Sequence, residues 1–199
     1  MRPPPLPRPA KPWAFLAAAG IAASLAAADR ALGVQVHAVR PLGVLGDGAH
    51  LDRRPGTGLG LGLPLDFGPG RVLRPRVDYL AFRRERAGVI HQADSLLLMV
   101  DYDHHLRPAA HGVYLVAGVG LHSTRRKVER PAGAGRTKAD AGTTGLAYGF
   151  GAGFPLGRRG ALEVRWLAMD MDALPFRGPG MPEPRFQAEA LMASLLWKF

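Results

Sequence analysis

The chain of 199 residues contains no cysteine. That excludes disulfides, thiolate metal sites and the acylated cysteine of a lipoprotein; it is compatible with an oxidising compartment without requiring one. After the N-terminal region, no run approaches the roughly 20 consecutive apolar residues of a membrane-spanning helix, although 47% of the residues are hydrophobic. The apolar residues come in short alternating runs instead. Acids are scarce, 16 against 26 Lys and Arg, for a formal charge of +10. Such a balance suits nucleic acid, acidic lipid or solvated loops. No aromatic interleaving or nucleic-acid motif accompanies the basic clusters Arg83-Arg84 and Arg125-Arg126-Lys127, so nucleic acid is not expected as a partner. What is plentiful is Gly (26) and Pro (18), which disfavour long helices and favour strands, bends and turns.

The N-terminus has three parts. Met1 to Pro12 is basic and proline-rich, Trp13 to Ala28 is an alanine-rich apolar segment, and small residues at Ala26 and Ala28 precede Asp29. This is the pattern of a secretory signal peptide, its apolar core being short for a membrane span. The expected organisation is a signal helix over 1–28, removed on export, and one domain over 29–199. An uncleaved anchor or a buried alanine-rich helix is the alternative.

The last stretch, Arg185 to Phe199, shows how that domain is built. Leu191, Ala193, Leu195, Trp197 and Phe199 are apolar, with Ser194 and Lys198 between them. Period-two alternation marks a strand with one apolar face, and here it runs to the final residue. Seven more such runs begin at Val34. Among them, Leu59, Leu61, Leu63 and Leu65 alternate with Gly58, Gly60 and Gly62, and Leu146, Tyr148, Phe150, Ala152 and Phe154 alternate with Gly149, Gly151 and Gly153. The connections sort by length. Gly46–Gly56, Arg83–Asp94, Ser123–Thr143 and Asp170–Pro184 are long; Phe67–Gly70, Asp103–His111 and Pro155–Gly160 are each shorter. Short turns at one end and long loops at the other are the habit of outer-membrane barrels. The expected fold is therefore all-β, an eight-stranded antiparallel up-and-down transmembrane barrel. Leucine, valine and aromatic side chains face lipid, and glycines line a crowded lumen. Tyr79, Tyr102, Phe154, Trp166, Trp197 and Phe199 are candidates for interfacial girdles.

The runs Gly112 to Leu121, Gly145 to Phe154, Leu162 to Trp166 and the terminal Leu196-Trp-Lys-Phe199 resemble the small outer-membrane β-barrel (porin-like) family of Gram-negative bacteria. The resemblance covers roughly Gly33 to Phe199. It implies location in the cell outer membrane, and contact with outer-membrane lipid and lipopolysaccharide. It further implies passage through periplasmic chaperones to the barrel-assembly machinery. Phe199 would be the residue that machinery recognises, with Trp197 and Leu195 as apolar partners.

The inward polar positions are Gln35, His37, Arg74, Arg76, Asp78, Asp101, His122, Glu163 and Arg165. A paired network plugging the lumen is the expectation, because eight strands enclose little beyond side chains and unpaired charges there are costly. A selective conduit is the alternative, giving a minor porin-like role. Cations at Arg125, Arg126, Lys127, Arg136 and Lys138 lie in the longest loop and suit lipopolysaccharide phosphates.

An enzyme is not expected. Lipid A deacylases use a His-x-Ser pair on one strand face; here His122 and Ser123 are adjacent, hence on opposite faces, and Thr124 shares a face that points inward. Asp103-His104-His105 echoes a metal-phosphoesterase motif outside its usual α/β context, and Asp170-x-Asp172 reads as solvated. No cofactor or metal site is expected. The competing classes are a lipid-modifying barrel enzyme and a secreted soluble β-barrel holding a small apolar ligand.

Overall fold

The computed structural model describes residues 32–43, 51, 54–106, 112–132, 135–172 and 185–199. The signal-peptide expectation over 1–28 lies outside the described residues, as does most of the loop after Asp170. Nine strand segments follow in chain order: β1 (Gly33–Leu42), β2 (Gly56–Gly62), β3 (Leu65–Asp66), β4 (Arg71–Arg86), β5 (Val89–His105), β6 (Tyr114–Ala132), β7 (Gly135–Leu156), β8 (Gly160–Asp172) and β9 (Arg185–Lys198). Each pairs antiparallel with its neighbours, and β1 pairs with both β2 and β9, so the sheet closes. Segments β2 and β3 both pair with β4 and form one stave. Pro64 has no N–H to give the ladder, which breaks the stave, while the Leu63 amide still reaches the Pro75 carbonyl at 2.9 Å. The result is a closed eight-stranded antiparallel barrel.

Alternation fixes which side chain goes where. Val36, Leu59, Leu61, Leu98, Val100, Leu115, Val119, Leu121, Leu146, Phe150, Val164 and Leu195 all point outward and are exposed. They form a continuous apolar belt far larger than a water-soluble monomer tolerates. Each stave is laddered to both neighbours through the belt region, the condition for crossing hydrocarbon. Of the expected girdle aromatics, Trp197 and Phe154 lie near the turn end, pairing with Gly160 and Leu162. Trp166 is mid-strand, its ring 5.2 Å from Phe150 and 5.8 Å from Tyr148.

Two connections differ from expectation. The span Arg83–Asp94 is not a loop: β4 and β5 continue through it and reverse at Ala87–Gly88. Both turn residues have positive φ, 50° and 76°, the geometry a tight hairpin requires and glycine supplies cheaply. The span Ser123–Thr143 is likewise paired strand almost throughout, β6 and β7 rising together beyond the belt to Ala132 and Gly135. The asymmetry in length is thus a projecting hairpin and not a slack loop. Charged residues alternate along both strands there, with Lys127 opposite Asp140 and Glu129 opposite Lys138.

Candidate functional site: the barrel lumen and the projecting hairpin

Inward-facing residues are layered along the barrel axis. Toward the short-turn end sit Gln35, His37, Arg74, Arg76, Asp78, Asp101, Asp103, Glu163 and Arg165, each at most 5% exposed. Above them Val39, Leu80, Phe82, Leu97, Met99, Leu167, Met169, Met171 and Met192 pack as one apolar cluster. Leu97 and Met99 interrupt the polar alternation of β5 for this reason. They belong to the greasy tier of the lumen, not to the belt.

The polar tier is a connected network. Arg74 reaches Glu163 at 2.6 Å, Asp103 at 3.2 Å and Asp101 at 3.6 Å. Arg165 donates from Nη1 to Asp101 at 2.6 Å and from Nε to Glu163 at 2.7 Å. Arg76 meets Asp101 at 2.7 Å and also pairs with Asp78. Asp78 carries the chain to His37 Nε2 at 3.1 Å, whose Nδ1 lies 2.8 Å from the Ser194 hydroxyl. Tyr114 donates to Glu163 at 2.6 Å. Strands β1, β4, β5, β6 and β8 are therefore tied across the lumen by bonds to carboxylates, with β9 joined through the Ser194 hydroxyl, in a setting where leaving any one charge alone would be expensive.

Room for these side chains comes from glycines opposite them. Asp78 faces Gly60, Asp101 faces Gly118, Arg165 faces Gly151, and Tyr114 faces Gly153. A Cβ on Gly118 would stand 2.0 Å from an Asp101 carboxylate oxygen, and one on Gly153 would stand 2.1 Å from the Tyr114 ring. Small-against-large pairing is how a narrow barrel interior fills.

Of the nine expected lumen residues, seven join this network. Gln35 shares the tier and is 1% exposed, but neither of its amide atoms bonds to a group among the described residues. His122 lies apart, nearer the hairpin end, with Nδ1 2.9 Å from Thr124 Oγ1 and Nε2 2.7 Å from the Asp170 carbonyl. Asp103, Tyr114 and Ser194 were missed. Continuing the period of two from Asp101 to Asp103 would have found the first, had that stretch not been read as a turn.

The chemistry open to these groups is limited by burial. Ser194, His37 and Asp78 form a hydroxyl–imidazole–carboxylate chain, and so do Thr124 and His122 in part, but all are at most 2% exposed. Asp103, His104 and His105 diverge: Asp103 enters the network, His104 lies beside Tyr102, and His105 packs on Tyr114 at 4.8 Å. Among the described residues no cluster of His, Asp and Glu is placed to hold a metal.

On the hairpin, Arg125, Lys127, Glu129, Arg136, Lys138 and Asp140 share the outward wall, with Lys127 opposite Asp140 and Glu129 opposite Lys138. Arg125 Nε bonds both Asp140 oxygens at 3.0 and 2.9 Å. Glu129 pairs with Lys138 at 3.3 Å and Arg136 at 3.5 Å. Hydrogen bonding from Lys138 holds the Glu129 carboxyl below its ordinary value, and that from Arg125 does the same for Asp140. Arg126 corrects the reading of one outward basic cluster. It is 4% exposed and points inward, because alternation sends every second side chain of a strand to the other face.

No family model matches the chain, and no curated protein matches it. Solved structures do. The chain is similar to Neisserial surface protein A, at 15% identity over 85% of this chain and 96% of that one, TM-score 0.57. It is similar to Ail, the attachment invasion locus protein of Yersinia pestis, at 14% identity over 85% and 97%, TM-score 0.59. It is also similar to the N-terminal β-barrel domain of Pseudomonas aeruginosa OprF, at 10% identity over 85% and 98%, TM-score 0.51. At such identities the likeness is one of fold: the chain shares the small eight-stranded barrel of these outer-membrane proteins, and its belt fits hydrocarbon.

Proposed function

We propose that the protein is a sealed, non-enzymatic outer-membrane barrel that acts through its outer wall, where the β6–β7 hairpin engages the phosphates of lipopolysaccharide. The observation that carries this reading is the stacking of an ion-paired tier beneath an apolar tier, which occupies the lumen and leaves the exterior as the working surface. A hydrated ion would have to cross the cluster of Leu80, Leu97, Met99 and Leu167, all at most 1% exposed. The hydroxyl–histidine groupings face that same interior, where a lipid acyl chain has no approach.

On the outward wall of the hairpin Lys138 and Arg136 lie toward the tip, while Arg125 and Lys127 lie nearer the belt, a few residues beyond Leu121. That is the height of lipid headgroups, and phosphate is the oxyanion Arg and Lys recognise there. Ail of Yersinia pestis has been solved in complex with the heparin analogue sucrose octasulfate; a polyanionic saccharide is the corresponding class of partner for this chain.

Two measurements test the reading. The purified barrel in planar bilayers is expected to give no resolvable conductance steps, and stable channels would sink the sealed lumen. Replacing Lys127, Arg136 and Lys138 together by Gln is expected to weaken lipopolysaccharide binding in nanodiscs. Unchanged affinity would leave the hairpin a solvated projection. The assembly role of Phe199, Trp197 and Leu195 is likewise a proposal: Leu195 and Trp197 expose apolar side chains on the outer face of β9, and Phe199 is 72% exposed.

A further inference from the structure

At the end opposite the hairpin, beneath the ion-paired tier, the barrel opens into a basin of about 630 Å³. Its rim is cationic: Arg71 at the start of β4, Arg158 and Arg159 in the β7–β8 turn, and Lys198 at the end of β9. These four are exposed, and none makes an ion pair with a described residue. Arg74 and Asp103 form the floor with Tyr114, and Asp66 is the other lining acid. The lining therefore carries five full cations against two carboxylates, with His105 between.

We propose that this basin binds a small, multiply charged oxyanion of the phosphate type. The volume falls in the roughly 300–1,000 Å³ range of small-molecule sites. Three guanidiniums and an ammonium around one mouth supply forked donors that match phosphate oxygens, and their mutual repulsion is relieved when an anion sits among them. The floor cannot neutralise the rim, because Asp103 is already engaged by Arg74 at 3.2 Å. Apolar Val72, Ala161 and Leu196 supply the walls.

Two sources carry such a group: a free anion in the aqueous space and an anionic lipid headgroup. The basin faces along the barrel axis, lined by the inward residues Arg74, Asp103, Tyr114 and Leu196. A headgroup would have to leave its leaflet and turn into the lumen. The free anion is the better occupant.

The test uses the full barrel in zwitterionic micelles, titrated calorimetrically with inorganic pyrophosphate. Saturable binding at one site per chain is expected. Arg158→Gln with Arg159→Gln, in an exposed turn whose φ-critical residue is Gly157, should weaken it by about tenfold or more, as expected for losing two charge-assisted contacts. Arg40→Gln with Arg83→Gln, two exposed cations toward the far end of β1 and β4 and outside the β6–β7 hairpin, removes the same charge and should leave it unchanged. Equal weakening by both pairs would show attraction to net charge only and overturn the site, as would absence of saturation. Adding phosphatidylglycerol to the micelles distinguishes the sources: pyrophosphate affinity that persists assigns the free anion, and affinity that falls in step with the lipid overturns that assignment. Lipopolysaccharide binding by the hairpin is independent of every arm.

Discussion

Tyr114 and Gly153 sit opposite one another on β6 and β7, and the missing side chain of the glycine is what lets the phenol reach Glu163. Gly153→Ala puts a carbon 2.1 Å from the ring, so ring or backbone must move. The expected cost is about 1–3 kcal/mol, the usual range for overpacking. Gly142, on the same strand, has nothing within 4 Å of its own added Cβ; Gly142→Ala should be nearly silent in the same urea titration of refolded protein. A second residue-scale expectation concerns Glu163, which serves Arg74, Arg165 and Tyr114 together. Glu163→Gln leaves two buried guanidiniums short of a charge and should destabilise by about 3–5 kcal/mol. A loss below about 1 kcal/mol, the scale of an exposed pair, would mean the tier is wet. At this scale the sequence was most legible where polarity alternates cleanly: His37, Arg74, Arg76, Asp78, Glu163 and Arg165 follow from period two alone. Partners are a different matter. Which arginine meets which carboxylate depends on how the staves are staggered around a closed cylinder, and no single strand encodes that.

Among the elements, the β6–β7 hairpin departs furthest from what the sequence suggests. A stretch rich in Arg, Lys and Gly looks like loop because charge favours solvent. Yet Lys127 with Asp140 and Glu129 with Lys138 face each other across the strands, and opposite charges in that position support pairing. Their titration gives a pH test with a definite sign. Asp140 and Glu129 are both held below their ordinary values, so what they contribute is fully present above the unfolded carboxylate range of about 4. It is lost only as pH falls through the lowered folded values. Hydrogen exchange of the amides from 135 to 142 should therefore keep its protection at pH 5 and lose part of it in stronger acid, while the amides of β6 and β7 within the belt do not change. Loss of protection in both regions together would tie the hairpin to the barrel as one cooperative unit.

For the whole molecule, the question is what the last residue does. Phe199 is 72% exposed, and its amide bonds to the Leu32 carbonyl at 3.0 Å, at the seam where β1 meets β9. The ring lies past the last ladder pair of the seam, Gly33 with Lys198, at the end of the lipid-facing wall, so it covers less of that wall than Trp197 does and contributes little to folding stability. If the ring is read by assembly machinery, stability and biogenesis should separate. Phe199→Ala should refold from urea into detergent with an unchanged midpoint and show the same heat-modifiable gel mobility as the parent. In cells it should reach the outer membrane several-fold less, roughly the change that a 1 kcal/mol difference in recognition gives. Trp197→Ala removes belt surface as well, its side chain being half exposed on the lipid-facing wall beside Gly160, so it should lower both the midpoint and the yield. A Phe199→Ala barrel that inserts normally in cells would remove the recognition role. One that fails to refold in detergent would make the terminal ring part of the seam's own closure, with no need of a receptor.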